Sequence, residues 1–289
     1  MSLKTIIMDD SAKTLLAGLD YAGKTSIMLA LNEKKGYIEK IKALKPTIRV
    51  EQIRIDFIGK EVIFWDLGGQ ERYRELYEEK KDFYFADTDV IFYIIDIQDQ
   101  TRFSASLNYL SSILNHFREN DERIPVVIAF HKSDPEIKND SNIINSIENL
   151  TNQINEKHSD FELLFQQTTI FDIVSIVKMI SFGLATLNED FFDLYTLLEE
   201  YSGKLDSPGL FLLNENGMII CKFFKEPVED HIYEKLSDSV KEHIYELKDL
   251  SEKKESAERK IFELGDGFRS YLHPINYRDT EYYMSILLK

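Results

Sequence analysis

The segment Gly18-Leu19-Asp20-Tyr21-Ala22-Gly23-Lys24-Thr25 constrains this chain more than any other. It fits G-x-x-x-x-G-K-[ST] and directly follows Thr14-Leu15-Leu16-Ala17, an apolar run that reads as a strand. Strand, glycine-rich loop and helix in that order build a phosphate cradle. The glycines let backbone N–H groups turn toward a polyphosphate, Lys24 neutralises its oxygens, and the Thr25 hydroxyl at the helix start is placed to ligate Mg2+. The ligand class is a nucleoside triphosphate. ATPases and kinases use the same cradle, so the loop by itself leaves the base open.

Three further segments narrow it. Val62-Ile63-Phe64-Trp65 is a continuous apolar run of the kind a buried parallel strand shows, and it ends in Asp66-Leu67-Gly68-Gly69-Gln70. An Asp at a strand end can hold Mg2+ through a water, Gly68 and Gly69 let a backbone amide approach the γ-phosphate, and Gln70 can orient an attacking water. Between the two motifs, Pro46 biases Lys45-Pro46-Thr47 toward an extended or turn conformation. This makes the Thr47 hydroxyl a candidate metal ligand and γ-phosphate sensor. After the run Ile124 to Phe130 comes His131-Lys132-Ser133-Asp134. The Asp134 carboxylate can accept from guanine N1–H and N2–H2, whereas adenine would leave it unpaired, so guanine is the expected base.

These four segments, in this order and spacing, resemble the small GTPases of the Ras superfamily, and GLDYAGKT with WDLGGQE is most similar to the Arf branch. The resemblance covers roughly residues 1 to 184. A base motif that begins with His131 in place of Asn is typical of the Rag/Gtr GTPases, whose G domain is followed by a roadblock or longin-type domain. The phosphate loop, with Asp20, is Arf-like. The resemblance implies an α/β P-loop G domain, a mostly parallel six-stranded sheet with helices on both faces, over residues 1–184. A smaller α+β roadblock/longin-like dimerisation domain would follow over 185–289.

The site residues that the resemblance implies are Gly18, Asp20, Ala22, Gly23, Lys24, Thr25 and Ser26 around the phosphates, Thr47 and Gly69 at the γ-phosphate, and His131, Lys132 and Asp134 at the base. Thr25, Thr47 and, through water, Asp66 would hold Mg2+, with Gln70 and Lys24 catalytic. A last base contact comes in this superfamily from a backbone amide after the sixth strand, where Phe161 to Gln167 leads into Thr168, Thr169 and Ile170. His131 lacks the amide that would tie the base motif to the phosphate loop. An imidazole N–H could serve the base N7, so guanine specificity with weaker affinity is expected.

At 289 residues the prior is two domains. No apolar run reaches the roughly 18 residues of a membrane span, and Cys221, the only cysteine, permits neither a disulfide framework nor a cysteine zinc site. A net charge of −16 argues against nucleic acid and anionic lipid as direct partners. Met1-Ser2-Leu3 carries no myristoylation glycine and Leu287-Leu288-Lys289 is not a prenylation box. The expected place is the cytoplasm, with any membrane recruitment through a partner.

Strands are expected near 12–18, 51–58, 61–66, 90–96, 124–130 and 161–167, with helical patterns between them and a helix from Asp172 to Phe182. In the second part, Phe191, Phe192, Leu194, Tyr195, Leu197 and Leu198 mark an apolar helix. Asn214-Glu215-Asn216-Gly217 between two apolar runs is a strong hairpin signal. A long helix carrying Ile232, Leu236, Val240, Ile244 and Leu247 on one face follows, then strands near 258–264, 268–276 and 281–288. The apolar side of Tyr282 to Leu288 needs a cover, supplied either by the first helix of this part or by a second chain. The resembled family dimerises through this domain, so a homo- or heterodimer is expected.

The histidines other than His131 (His116, His158, His231, His243 and His273) are read as structural, with His231 and His243 on a surface helix, the Glu252-Lys253-Lys254-Glu255 run as a solvated face, and Trp65 as core close to Asp66. Turnover should be slow alone and faster by roughly 10³-fold with a GTPase-activating protein that supplies an arginine, since Arg49 and Arg72 are not aimed by any sequence signal. An exchange factor is also expected. Two alternatives remain at this level: a nucleotide-locked scaffold subunit with little turnover, and, less in keeping with Asp134, an ATPase.

Overall fold

The computed structural model describes residues 11–32, 37–57, 60–187, 190–225, 229–253, 258–277 and 280–289. Met1-Ser2-Leu3, Lys254 and Glu255, and the side chains of Phe191, Phe192 and Tyr195, lie outside what is described.

Six strands form the first sheet: β1 (Ala12–Ala17), β2 (Val50–Phe57), β3 (Lys60–Leu67), β4 (Val90–Asp96), β5 (Val126–His131) and β6 (Leu163–Thr168), in the order β2-β3-β1-β4-β5-β6. β1 pairs in parallel with β3 and β4, β4 with β5, and only the β2/β3 hairpin is antiparallel. The strands expected from sequence are all present, and the sheet is mostly parallel, as expected. The reason is composition: β5 is buried at every position and β4 at all but its last, as continuous apolar runs must be when both faces are covered. Burying side chains such as Phe92, Ile94 and Phe130 stabilises the fold by about 1.5–3 kcal/mol each.

The helices of this part are α1 (Lys24–Asn32), α2 (Tyr37–Lys42), α3 (Glu71–Glu79), the single turn α4 (Lys81–Tyr84), α5 (Phe103–Glu119), α6 (Ser141–His158) and α7 (Ile173–Ala185). Asp140 and Asp172 cap α6 and α7, each accepting a backbone N–H two residues ahead. Leu110, Ile113, Leu114 and Phe117 of α5 pack with Tyr93, Ile128 and Phe130 in one core. Strand order reverses at β1, whose neighbours are β3 and β4. The loop after β1 therefore opens at the switch point, where ligands of α/β sheets bind.

A second, five-stranded sheet is antiparallel throughout: β7 (Gly209–Leu213), β8 (Ile219–Phe224), β9 (Lys260–Gly265), β10 (Phe268–Tyr277) and β11 (Thr280–Leu288), in the order β8-β7-β11-β10-β9. Helices α8 (Asp190–Leu205) and α9 (Asp230–Lys253) accompany it, so the helix, hairpin, helix, three-strand order is as expected. The hairpin turn forms because the Asn214 side chain accepts the Asn216 and Met218 N–H groups and Gly217 takes φ +74°. Leu236, Val240, Ile244 and Leu247 of α9 are buried. Tyr282, Tyr283 and Met284 of β11 are buried within this one chain, whereas Ile261 on the edge strand β9 is 56% exposed.

The surface placement of His243 is corrected. His231 is exposed, but His243 is fully buried and bonds Ser285 through Nδ1 (2.7 Å) and Ser270 through Nε2 (3.2 Å). Leu236, Val240, His243 and Leu247 follow helical spacing, so His243 lies on the inner stripe and is accommodated by two hydroxyls of the sheet.

By contacts the chain divides into two compact units, one up to Thr25 with Lys45–Lys132 and Ile137–Gln166, the other Ser26–Leu44, Ser133–Glu136 and Gln167–Lys289. Within the second unit, buried Lys248 of α9 donates to the Ala30 carbonyl of α1 (2.9 Å).

Candidate functional site

The loop from β1 into α1 has the backbone of a cradle. Gly18 takes φ +143° with the Ile94 carbonyl 2.4 Å from where a Cβ would stand, and Gly23 takes φ +100°. Lys24 is buried and donates to the carbonyls of Gly18 (2.9 Å) and Leu19 (2.8 Å). Burial pushes its pKa down to about 8; Asp66 and Asp20 oppose that shift, while Arg102 and Arg74 add to it.

Beside Lys24 the three expected metal-holding residues converge. The Thr25 hydroxyl donates to Asp66 Oδ2 at 2.7 Å, lies 2.7 Å from the Thr47 hydroxyl, and Thr47 in turn donates to Asp66 Oδ2 at 3.2 Å. The second carboxylate oxygen, Oδ1, is buried with no hydrogen-bond partner among the described residues, and burial raises the pKa of Asp66 against Lys24, Thr25 and Thr47. A buried carboxylate with one unpaired oxygen is costly unless a cation completes it. Two hydroxyls and a carboxylate form a hard oxygen set, so the residues present fit Mg2+.

The segment after β3 closes on the same loop. Asp20 N–H donates to the Gly69 carbonyl (3.1 Å), and a Cβ on Gly69 would stand 2.3 Å from the Asp20 nitrogen, so only glycine fits there. Gly68 N–H donates to the Arg49 carbonyl (2.7 Å), and Tyr77 donates to the same oxygen from α3. Gln70 sits at the N-cap of α3, its carbonyl accepting the Tyr73 and Arg74 N–H groups, with no capping bond from its side chain. Trp65, expected in the core, is only half-buried, with the Lys13 ammonium 4.2 Å from its ring centroid and Phe83 edge-on.

His131 ends β5 buried against the phosphate loop: its Cδ2 and Nε2 stand 2.4 and 2.7 Å from the place of a Gly23 Cβ. Burial, with Lys132 adding to it, pushes its pKa down to about 3, so the ring is neutral. The ring thus stands directly against Gly23 of the phosphate loop. Lys132 adopts a left-handed φ of +61°, a strained backbone of the kind found at sites, and its ammonium pairs with Asp96 (2.6 Å).

The remaining candidates form their own cluster. Thr169 donates its hydroxyl to Asp134 Oδ1, Ser133 N–H donates to the Thr168 carbonyl (3.1 Å), and Ser133 Oγ bonds Gln167 (3.0 Å). The Ile170 carbonyl accepts from Tyr37, whose hydroxyl also bonds Tyr245 of α9. Tyr37 went unnoticed in the sequence.

Two arginines were also missed. Arg102, in the turn between β4 and α5, pairs with the Asp20 carboxylate and donates to the Asp20 carbonyl (3.1 Å), and Arg74 donates to the Gly69 carbonyl (3.1 Å). Arg72 instead bonds its neighbour Tyr73. The signal for Arg102 was topological: β4 is the parallel neighbour of β1, so the residues after both strands meet at one end of the sheet.

A family model described as the Gtr1/RagA G protein conserved region matches residues 13–240 of this chain. ADP-ribosylation factor-like protein 3 of Chlamydomonas reinhardtii is 32% identical over 126 residues, 44% of this chain and 65% of that protein, so the chain spans less than two thirds of that relative. ADP-ribosylation factor-like protein 3 of Saccharomyces cerevisiae is 32% identical over 146 residues, 49% of this chain and 68% of that protein. Among solved structures, the Arl6 BBS3 small GTPase from Trypanosoma brucei with bound nucleotide analogue GppNp aligns at 17% identity with a TM-score of 0.48, over 61% of this chain and 96% of that one.

Proposed function

The chain belongs to the Gtr1/RagA G protein family, and from that premise we propose that it is a guanine-nucleotide switch that binds GTP with Mg2+ and slowly hydrolyses it to GDP and phosphate. The observation that carries this reading is the bonded set of Thr25, Thr47 and Asp66, with the unpaired Asp66 Oδ1. A phosphate loop alone would serve many enzymes. A hydroxyl from a separate segment, Thr47, held against the strand-end carboxylate gives that segment a reason to move when the nucleotide changes.

In this reading Thr25, Thr47 and, through water, Asp66 would hold Mg2+, and the bound ion would supply charge neutralisation to the phosphates. Lys24 exchanges its two loop carbonyls for phosphate oxygens and holds its proton there. Gln70, at the start of α3, orients the attacking water, and backbone amides at Gly23 and Gly69 meet the charge that spreads over the phosphoryl group. Asp134 accepts from guanine, and His131, Lys132, Thr169 and Ile170 are the further residues assigned to the base. The segments around Thr47 and from Gly69 to Tyr77 are the effector-facing switches.

We assign residues 185–289 to a roadblock-like dimerisation domain after a G domain of 1–184. Family membership supports this, as does an edge strand β9 that presents Ile261 to solvent. An activating protein and an exchange factor complete the cycle in the cytoplasm, and any membrane contact runs through a partner. Among the described residues no helix is long and apolar enough to cross a membrane.

Phosphate release from GTP under single-turnover conditions tests the reading. Slow release that falls in Gln70→Leu and Thr47→Ala, with GDP binding kept, is expected. Rapid release by the isolated protein, or release indifferent to both substitutions, would overturn it.

A further inference from the structure

The phosphate loop carries a carboxylate of its own, Asp20, and its N–H is tied to Gly69, the residue read above as approaching the γ-phosphate. A carboxylate there repels a polyphosphate, and it repels GTP more than GDP because GTP adds charge at that end. The turn after β4 meets this charge. Arg102 binds the Asp20 carboxylate through one terminal nitrogen and the Asp20 main-chain carbonyl through the other (3.1 Å), with Asp99 3.8 Å away as a third anchor. Both paired side chains are about one third exposed, 34% for Arg102 and 28% for Asp20, so water screens the pair only in part. Two bonds to one residue also orient it, which a lysine cannot do.

We propose that Arg102 is a positioning and nucleotide-discriminating residue: it neutralises Asp20 and pins the loop backbone, so that the triphosphate is accepted despite a built-in negative charge. This rests on the guanine-nucleotide reading of the site. Arg102 acts through Asp20, and its loss is felt as a change in the ratio of GTP to GDP affinity.

The test is titration of the wild-type chain, Arg102→Ala, Arg102→Lys, Asp20→Asn and the Asp20→Asn/Arg102→Ala double variant with GDP and with guanosine 5′-[β,γ-imido]triphosphate in Mg2+. Arg102→Ala should weaken the triphosphate about tenfold more than GDP. The double variant should recover most of that loss, and Arg102→Lys should lose less. Asp20→Asn alone removes the loop carboxylate while Arg102 keeps its charge, and should shift the ratio toward the triphosphate. A purely structural role would lower both affinities together, and that result, or failure of Asp20→Asn to rescue, overturns the proposal. If Arg102→Ala does not fold, the direction of the shift in Asp20→Asn decides by itself. Wild type that binds neither nucleotide would defeat the functional reading first and this inference with it.

Discussion

The two sheets treat their buried polar groups in opposite ways. In the first, Lys24 at the start of α1 and Asp66 at the end of β3 are buried charges, and Asp66 keeps one oxygen without a partner among the described residues. In the second, His243 is buried between Ser270 and Ser285 with both ring nitrogens bonded. Buried neutral hydroxyls without partners among the described residues occur too, at Ser181 and Ser239, but an unpaired hydroxyl costs far less than an unpaired carboxylate oxygen. The contrast teaches where to look for a ligand. A parallel sheet covered on both faces leaves only its strand ends to water, so chemistry gathers there, and the charge left incomplete by the protein marks what is to be bound. The antiparallel sheet, alternating along β9, uses its buried polar groups to hold itself together.

Substitutions in the two regions should therefore separate binding from stability. Lys24→Ala should weaken guanine-nucleotide binding by about 10³-fold or more while leaving the melting temperature of the free protein unchanged or higher, because a buried cation is removed. A parallel loss of fold, read by thermal unfolding, would break the comparison. His243→Ala should do the reverse. It leaves two hydroxyls unpartnered around a cavity and should cost about 2–4 kcal/mol of unfolding free energy, with GDP affinity unchanged. Denaturant titration alongside nucleotide titration checks both halves of that statement.

The two buried groups should also differ in pH response. Burial pushes His243 down to about 3, so its neutral form is stabilised by folding above the ordinary value of 6.5. That stability is lost as pH falls from 6.5 toward 3, about 2 kcal/mol by pH 5, a loss His243→Ala should lack. Lys24 is lowered from 10.5 to about 8 in the free protein, whereas bound phosphate would hold its proton. Binding then takes up a proton above pH 8, and GTP affinity should fall about tenfold between pH 7 and pH 9. Affinity that is flat over this range would mean that Lys24 does not give up its proton in the free protein.

Most of the architecture could be read before any coordinates, because the signals were local. Parallel strands announce themselves as unbroken apolar runs, and Asn216-Gly217 announces a hairpin. The strand ends slipped where backbone chemistry intervened: β5 begins at Val126 and not Ile124, since Pro125 has no N–H and contributes its carbonyl alone to Ile91. The bonded cluster of Thr25, Thr47 and Asp66 was legible for the same reason, each residue lying in a short motif. Arg102, Arg74 and Tyr37 were not, because each acts through a contact with backbone or side chain on another element, and no local pattern records it. His243 was legible in principle: helical spacing placed it on the inner stripe, and its polarity alone suggested the surface.

The central claim is that these clusters form a guanine switch. Titration of nucleotide-free protein with GTP, GDP and ATP in Mg2+, followed by the fluorescence of Trp65, tests it most directly, since this lone tryptophan immediately precedes Asp66 in β3. The account predicts tight binding of GTP and GDP with different signals, and no binding of ATP. Identical signals for the two guanine nucleotides, or binding of ATP, would contradict it.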